Sequence, residues 1–206
     1  TDATEHLDAY NPTFAARAIE SFVVEDFSQW WLRRSRKRPE AVGLLRFILF
    51  ELSKLLAPFV PFTAEDIYLR VRPAKEEKGI SVHLCDWPKA NPKSVDNALE
   101  DAMRQVRDVI TAGLALRKEK GVRVRQPLQS VNVSRSEPFA SDLEELIKDE
   151  LNVKEVHYVP DGKTVLDLNM TPTLRTEGYA REMIRTIQDM RKEAGWILEK
   201  EGPAHP

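Results

Sequence analysis

Between Asn11-Pro12 and Pro39 the chain carries apolar residues around most of a helix's girth. Ala15, Ala18, Ile19, Phe22, Val23 and Trp30 recur three and four apart on one face, and Val24, Phe27 and Trp31 form a neighbouring stripe. A helix apolar over so wide an arc buries itself against more than one partner, as in a bundle. Pro39 suits the start of the next helix, EAVGLLRFILFELSKLLAPFVPF, which ends near Pro58 and Pro61 because proline disfavours helix in the residue before it. A third helix is expected from Thr63 to about Arg72, with Thr63 as N-cap and Glu65 and Asp66 in the first turn, where negative charge suits the helix dipole. The short segment SVHLCDWP, Ser81 to Pro88, reads as an extended strap over the bundle. From about Ser94 to Lys120, Val95, Ala98, Leu99, Ala102, Met103, Val106, Val109, Ile110, Gly113 and Leu114 keep a single stripe, and Gly121 is placed to end the helix.

After Gly121 the period changes. Leu128, Val131 and Val133 suggest a strand, Phe139 to Leu151 a short amphipathic helix, and Val153 to Val159 a second strand. Pro160-Asp161-Gly162 is a turn into a third strand, Thr164 to Met170. A last helix runs from about Thr173 to Ala194, with Tyr179, Met183, Ile184, Ile187 and Met190 on its apolar side and Gly195 at its end. The expected architecture is therefore mainly α: a helical bundle over residues 1–122, then a small α+β junction domain over residues 123–206. Glu5 to Tyr10 reads as the tail of a helix whose beginning is missing, and the closing EKEGPAHP as linker.

Charge and chemistry narrow the function. With 31 Lys+Arg against 33 Asp+Glu the net charge is -2, which excludes a uniformly basic nucleic-acid binder and leaves only local patches. The single cysteine, Cys85, excludes an internal disulfide or a Cys-based zinc site, favours a reducing compartment, and reads as a small, partly buried thiol. No stretch approaches the roughly 18–20 apolar residues of a membrane span, and TDATEHLDAY is not a signal peptide. His6, His83, His157 and His205 never pair at helix-ligand spacing. There is no nucleophile elbow, phosphate-binding Gly-rich loop or dinucleotide fingerprint, so no catalytic or metal-ligating residue is assigned.

The informative feature is Arg33-Arg34-Ser35-Arg36-Lys37-Arg38, five cations in six residues directly after Trp30-Trp31. One reading is a helix C-terminus whose cations match the dipole. The other is a polyanion grip: five cations exceed what the dipole asks for, and four arginines supply planar bidentate donors suited to phosphate. Trp31 is either core or a surface on which a base stacks. Arg117, Lys118, Lys120, Arg123 and Arg125 form a second basic stretch, readable as a helix end or as a further RNA contact. Basic side chains beside an aromatic, without catalytic machinery, point to a nucleic-acid-reading module.

At these residues the chain closely resembles the anticodon-binding region of isoleucyl-tRNA synthetases, class I aminoacyl-tRNA synthetases. AARAIESFVVEDFSQWWLRRSRKR resembles that family's F-V-x-D-L-S-x-W-Y-I-R-R-S-R helix, ELSKLLAPFVPFTAEDIY its L-L-A-P-F-x-P-F-x-A-E-E-I segment, and SVHLCDWP its S-V-H-L-x-D-W-P strap. VRVRQPLQSV, KDELNVKEV and EGYAREMIRTIQDMRKEAG resemble later junction elements, so the likeness covers nearly the whole chain. Trp31 stands where tyrosine is usual and Phe27 where leucine is usual. The resemblance implies a tRNA(Ile) anticodon-stem-loop binder, with RNA contacts at Trp31, Arg33, Arg34, Arg36, Lys37 and Arg38. No H-I-G-H or K-M-S-K-S type motif is present, so ATP and Mg²⁺ belong by resemblance to the catalytic domain of a parent enzyme. The expectation is a cytoplasmic, monomeric piece, inactive alone, which works beside catalytic and editing domains. Oligomer formation stays open, since an exposed former interface leaves room for weak self-association. The rival reading is a helical docking scaffold that never reads the anticodon.

Overall fold

A computed structural model describes residues 2–73, 81–160 and 162–196. The chain divides into two compact units, residues 1–94 and 95–206.

In the first unit α1 (Asp2–Asp8) leads through Tyr10, at φ 55°, into α2 (Pro12–Ser21). The continuous helix expected from Asn11 to Pro39 is not uniformly α. Phe22–Leu32 winds as a π-helix and Arg33–Ser35 returns to α as α3. Bonding to the fifth residue rather than the fourth changes which side chains align. Phe22 stacks on Phe27 with ring centroids 6.3 Å apart, and Phe27 on Trp31 at 5.7 Å, giving one aromatic ladder down the segment. Ala15, Ile19 and Phe27 are buried, whereas Phe22 and Val24, expected in the apolar stripes, are exposed.

α4 (Ala41–Leu56) and α5 (Pro61–Val71) pack together, with Phe50, Ala64, Tyr68 and Val82 forming the core. α5 starts earlier than expected: Pro61 takes the first turn, Val60 is the cap residue, and Thr63 is inside the helix. Glu65, expected to serve the dipole, instead accepts from the Ser81 hydroxyl (2.9 Å) and the Val82 amide (2.8 Å). That carboxylate anchors the strap, whose middle is a 3₁₀ turn at Val82–Leu84 rather than wholly extended chain. Trp87 closes it by donating to the Thr4 hydroxyl at 2.9 Å. Cys85 is partly buried against this core.

In the second unit α6 (Asn97–Glu119) is capped by the Asp96 carboxylate, which accepts from the Leu99 amide at 3.0 Å. Gly121, at φ 66°, ends it. β1 (Leu128–Ser134), α7 (Ser141–Leu151) and β2 (Val153–Val159) form a parallel β-α-β unit, and β3 (Val165–Leu166) pairs antiparallel on the other side of β1. Only two residues of the expected third strand pair. α8 (Pro172–Glu193) closes the described chain, apart from the turn at Gly195. The expected linker, EKEGPAHP, lies outside the described residues, as does Asp161 of the expected turn.

The division at 94/95 precedes the 122/123 boundary that the change of period suggests. The reason is packing: α6 lies against α7 and β3. A Cβ on Gly113 of α6 would sit 2.7 Å from the Leu151 methyls of α7, so the two helices approach closely enough that any larger residue here would push the Leu151 side chain aside. The unit's core comprises Val106, Ile110, Leu128, Val131, Val133, Leu143, Ile147, Leu151 and Leu166.

Arg117, on the last turn of α6, is 1% exposed. Its guanidinium donates to the carbonyls of Arg123 (3.0 Å), Gln126 (2.9 Å) and Asn152 (3.1 Å). Desolvation lowers its pKa to about 10, so it remains a cation near neutrality. Arg117→Met takes a donor from three carbonyls, of which those of Asn152 and Arg123 keep the Leu128 and Gln126 amides, and should lower unfolding free energy by about 2–3 kcal/mol in a urea melt. Arg117→Lys should recover little of this, since one ammonium does not span three acceptors set around a planar fork.

Candidate nucleic-acid interface

The arginine run begins where the π-helix ends. Arg33 Nε donates to the Gln29 carbonyl at 2.8 Å, and its guanidinium lies 6.0 Å from the centre of the Trp30 ring. Arg33 is exposed and Arg34 half-buried. Arg36, Lys37 and Arg38 are exposed as the backbone turns, the Arg38 amide donating to the Ser35 carbonyl and the Ala41 amide to the Arg38 carbonyl. Concentrating cations here incurs mutual repulsion, which the negative end of the helix dipole offsets only in part.

Trp31 is half-buried, one face already stacked on Phe27. It supports the helix from within. The neighbour carrying a cation on its ring is Trp30, which helical spacing assigns to the core. Trp30 is half-buried like Trp31, and the π winding that stacks Trp31 on Phe27 is announced by no local periodicity in the sequence.

The second basic stretch has a different fate. Arg117 is scaffold, as described above. Lys120 pairs with Glu119 at 2.9 Å, Arg123 with Glu182 at 2.9 Å, and Arg125 with the other Glu182 oxygen at 3.6 Å. Lys118 is exposed. Four of these five cations thus meet backbone or acid in the same unit, Arg123 and Arg125 because α8 brings Glu182 to them. Sequence reading missed Glu182 and Asn152. Asn152, at φ 49° after α7, accepts from Arg117 through its carbonyl and from Arg181 through its amide oxygen (2.5 Å). An Asn after an amphipathic helix is the usual sign of a left-handed cap.

Other ionisable groups in this unit are structural. Lys148 beside Glu144 holds that carboxyl below the usual carboxylate range, and burial with the Glu144 contact pushes the Tyr158 hydroxyl up. Lys154 does the same for Glu177 as Lys148 does for Glu144. Among the described residues no three His, Cys, Asp or Glu gather to hold a metal ion, and no helix is long and apolar enough to cross a membrane.

Comparison with known proteins places this helical unit in a family. The chain belongs to the family described as the anticodon-binding domain of tRNA ligase, which matches residues 1–132. It is 38% identical to the isoleucine–tRNA ligase of Thermus thermophilus, across 98% of this chain and 21% of that protein. It is 35% identical to the isoleucine–tRNA ligase of Dehalococcoides mccartyi strain CBDB1, across 94% of this chain and 22% of that one. Against the Chlamydia muridarum isoleucine–tRNA ligase the identity is 37% over 78% of this chain and 17% of that protein. The chain thus spans about a fifth of the length of the curated relatives it matches.

Because Trp31 braces Phe27, Trp31→Ala should cost about 2 kcal/mol of stability in a urea melt. Lys118→Ala should leave the same melt unchanged.

Proposed function

We propose that this chain binds the anticodon stem-loop of tRNA(Ile) within an isoleucine–tRNA ligase. The observation that carries the reading is the exposed cluster of Arg36, Lys37 and Arg38 directly following Arg33 and Arg34. Guanidinium groups grip phosphates bidentately and set the register of the stem-loop, while sequence is read by contacts to unstacked bases. Trp30, with Arg33 against it, offers an aromatic surface beside those cations. Of the second stretch, Lys118 is the cation best placed to contribute.

ATP-dependent isoleucylation belongs, on this reading, to the catalytic domain of the parent polypeptide. The residues described here supply no cluster of ligands for Mg²⁺, and no step of that reaction is assigned to them. The partners of the chain are accordingly tRNA(Ile) and the catalytic and editing domains.

The test is a titration of the chain with isoleucine tRNA and with the same tRNA carrying a foreign anticodon. If about five cations engage phosphates, log affinity falls with log salt at a slope near -3.5, or about a hundredfold between roughly 50 and 200 mM. Arg36→Ala/Arg38→Ala should flatten the slope by about 1.4 and weaken binding without moving the thermal midpoint. A flat salt response in the unmodified chain would sink the phosphate grip. Equal affinity for both tRNAs would leave anticodon discrimination to other parts of the ligase.

A further inference from the structure

Arg123 and Arg125 stand on a turn that is fixed independently of what their side chains meet. The Gln126 amide donates to the Arg123 carbonyl at 3.0 Å, and the buried Arg117 guanidinium donates to the carbonyls of Arg123 and Gln126 at 3.0 and 2.9 Å. Both guanidinium groups then share one carboxylate of α8. Arg123 lies 2.9 Å from one Glu182 oxygen and Arg125 3.6 Å from the other, a separation beyond hydrogen-bond range. Two cations around one anion leave a positive charge over within the group.

The position of Glu182 is set by the first turns of α8, where Leu174 and Gly178 are buried. Gln126 lies where a Cβ on residue 178 would be, and donates to the Leu174 carbonyl at 2.7 Å. Glu182 is one turn beyond Gly178 on the same face, which brings its carboxylate to the arginine turn. Beyond Gly178 no residue of α8 is buried, and Tyr179, Met183, Ile187 and Met190 on its apolar side face water. The Arg123 side chain is 76% exposed, that of Arg125 44% and that of Glu182 40%. Ion pairs so open to solvent are weak and screened by salt, so an outside anion replaces the carboxylate readily.

We infer, resting on the RNA-binding reading above, that Glu182 is an intramolecular competitor at an anion site made by Arg123 and Arg125, and that the ligand it holds off is a phosphate of the bound RNA. A phosphodiester carries one negative charge over two free oxygens, as a carboxylate does, so each guanidinium takes one oxygen of either. With Glu182 in place the pair is matched and adds little to RNA affinity. When a phosphate takes that place, both guanidinium groups join the grip and Glu182 turns to solvent. Until then the carboxylate also repels an approaching phosphate, so RNA held only loosely gains nothing from this surface.

Glu182→Gln, which keeps the side chain's shape, is compared with the native chain in titrations against isoleucine tRNA. At roughly 50 mM salt the variant should bind about tenfold more tightly. Two added phosphate contacts steepen the salt slope by about 1.4, so at roughly 200 mM the gain should shrink to below about twofold. The thermal midpoint should fall by no more than about 4 °C, as for an exposed ion pair. Adding Arg123→Ala/Arg125→Ala to the variant should return affinity to about the native level. Glu137→Gln removes the same charge from an exposed position beyond the far end of β1, and should change affinity by less than about twofold. A gain matched by Glu137→Gln, or one that survives loss of both arginines, overturns the proposal. A larger fall in the midpoint without tighter binding does so too, and marks Glu182 as a fastener of α8. Equal binding by the native chain and the variant sinks the competitor alone, whereas RNA binding by neither sinks the tRNA reading with it.

Discussion

One cation organises the second unit. The Arg117 guanidinium gathers the carbonyls of Arg123, Gln126 and Asn152, and so joins the end of α6, the turn leading into β1 and the cap of α7. The Asn152 carbonyl that it holds also receives the Leu128 amide, the first residue of β1. The entry to the sheet and the exit from its crossover helix are therefore tied to the same charge. Burying that charge is costly, and only because the fork finds several acceptors at once does the arrangement hold. The remaining attachments are smaller: the Asn152 amide nitrogen to the Val124 carbonyl, and Gln126 to α8.

Set beside Arg33 to Arg38, this shows that local composition does not decide what arginine does. Two basic stretches, each following a helix, end in opposite circumstances. In the first unit Arg36, Lys37 and Arg38 stand exposed at the surface. In the second, one cation is enclosed and three of its neighbours are matched by acids, two of them by Glu182 alone. The difference comes from α8, more than fifty residues later in the chain, which a reading confined to the neighbourhood of Arg123 has no means of seeing.

The elements with strong periodicity were legible in the residues. α4, α6, β1 and β2 lie within a few residues of their expected bounds, because burial of one face imposes its period on the sequence. The departures have physical causes of other kinds. Thr63 looked like a cap, but Pro61 had already opened the helix. Thr164 to Met170 had strand-forming residues, yet β3 pairs with β1 only at Val131 and Asn132, with one further bond from the Asp167 amide to the Ser130 carbonyl. The apolar side of α8 was correctly placed on the helix, but its exposure depends on what surrounds it and not on its own spacing. Within the basic run, the residues could identify the cluster but not the π winding that stacks Trp31 on Phe27.

The stacking of Phe22, Phe27 and Trp31 goes with the winding of Phe22–Leu32. A helix bonded to the fifth residue holds slack that a helix bonded to the fourth does not. Losing one residue in this stretch would allow the backbone to tighten to α winding and keep its hydrogen bonds, while everything beyond Leu32 swung by about 100° about the axis. The segment thus behaves as a screw thread for the cations that follow it. Its length can change without undoing the helix, but the direction in which those cations face would turn with it.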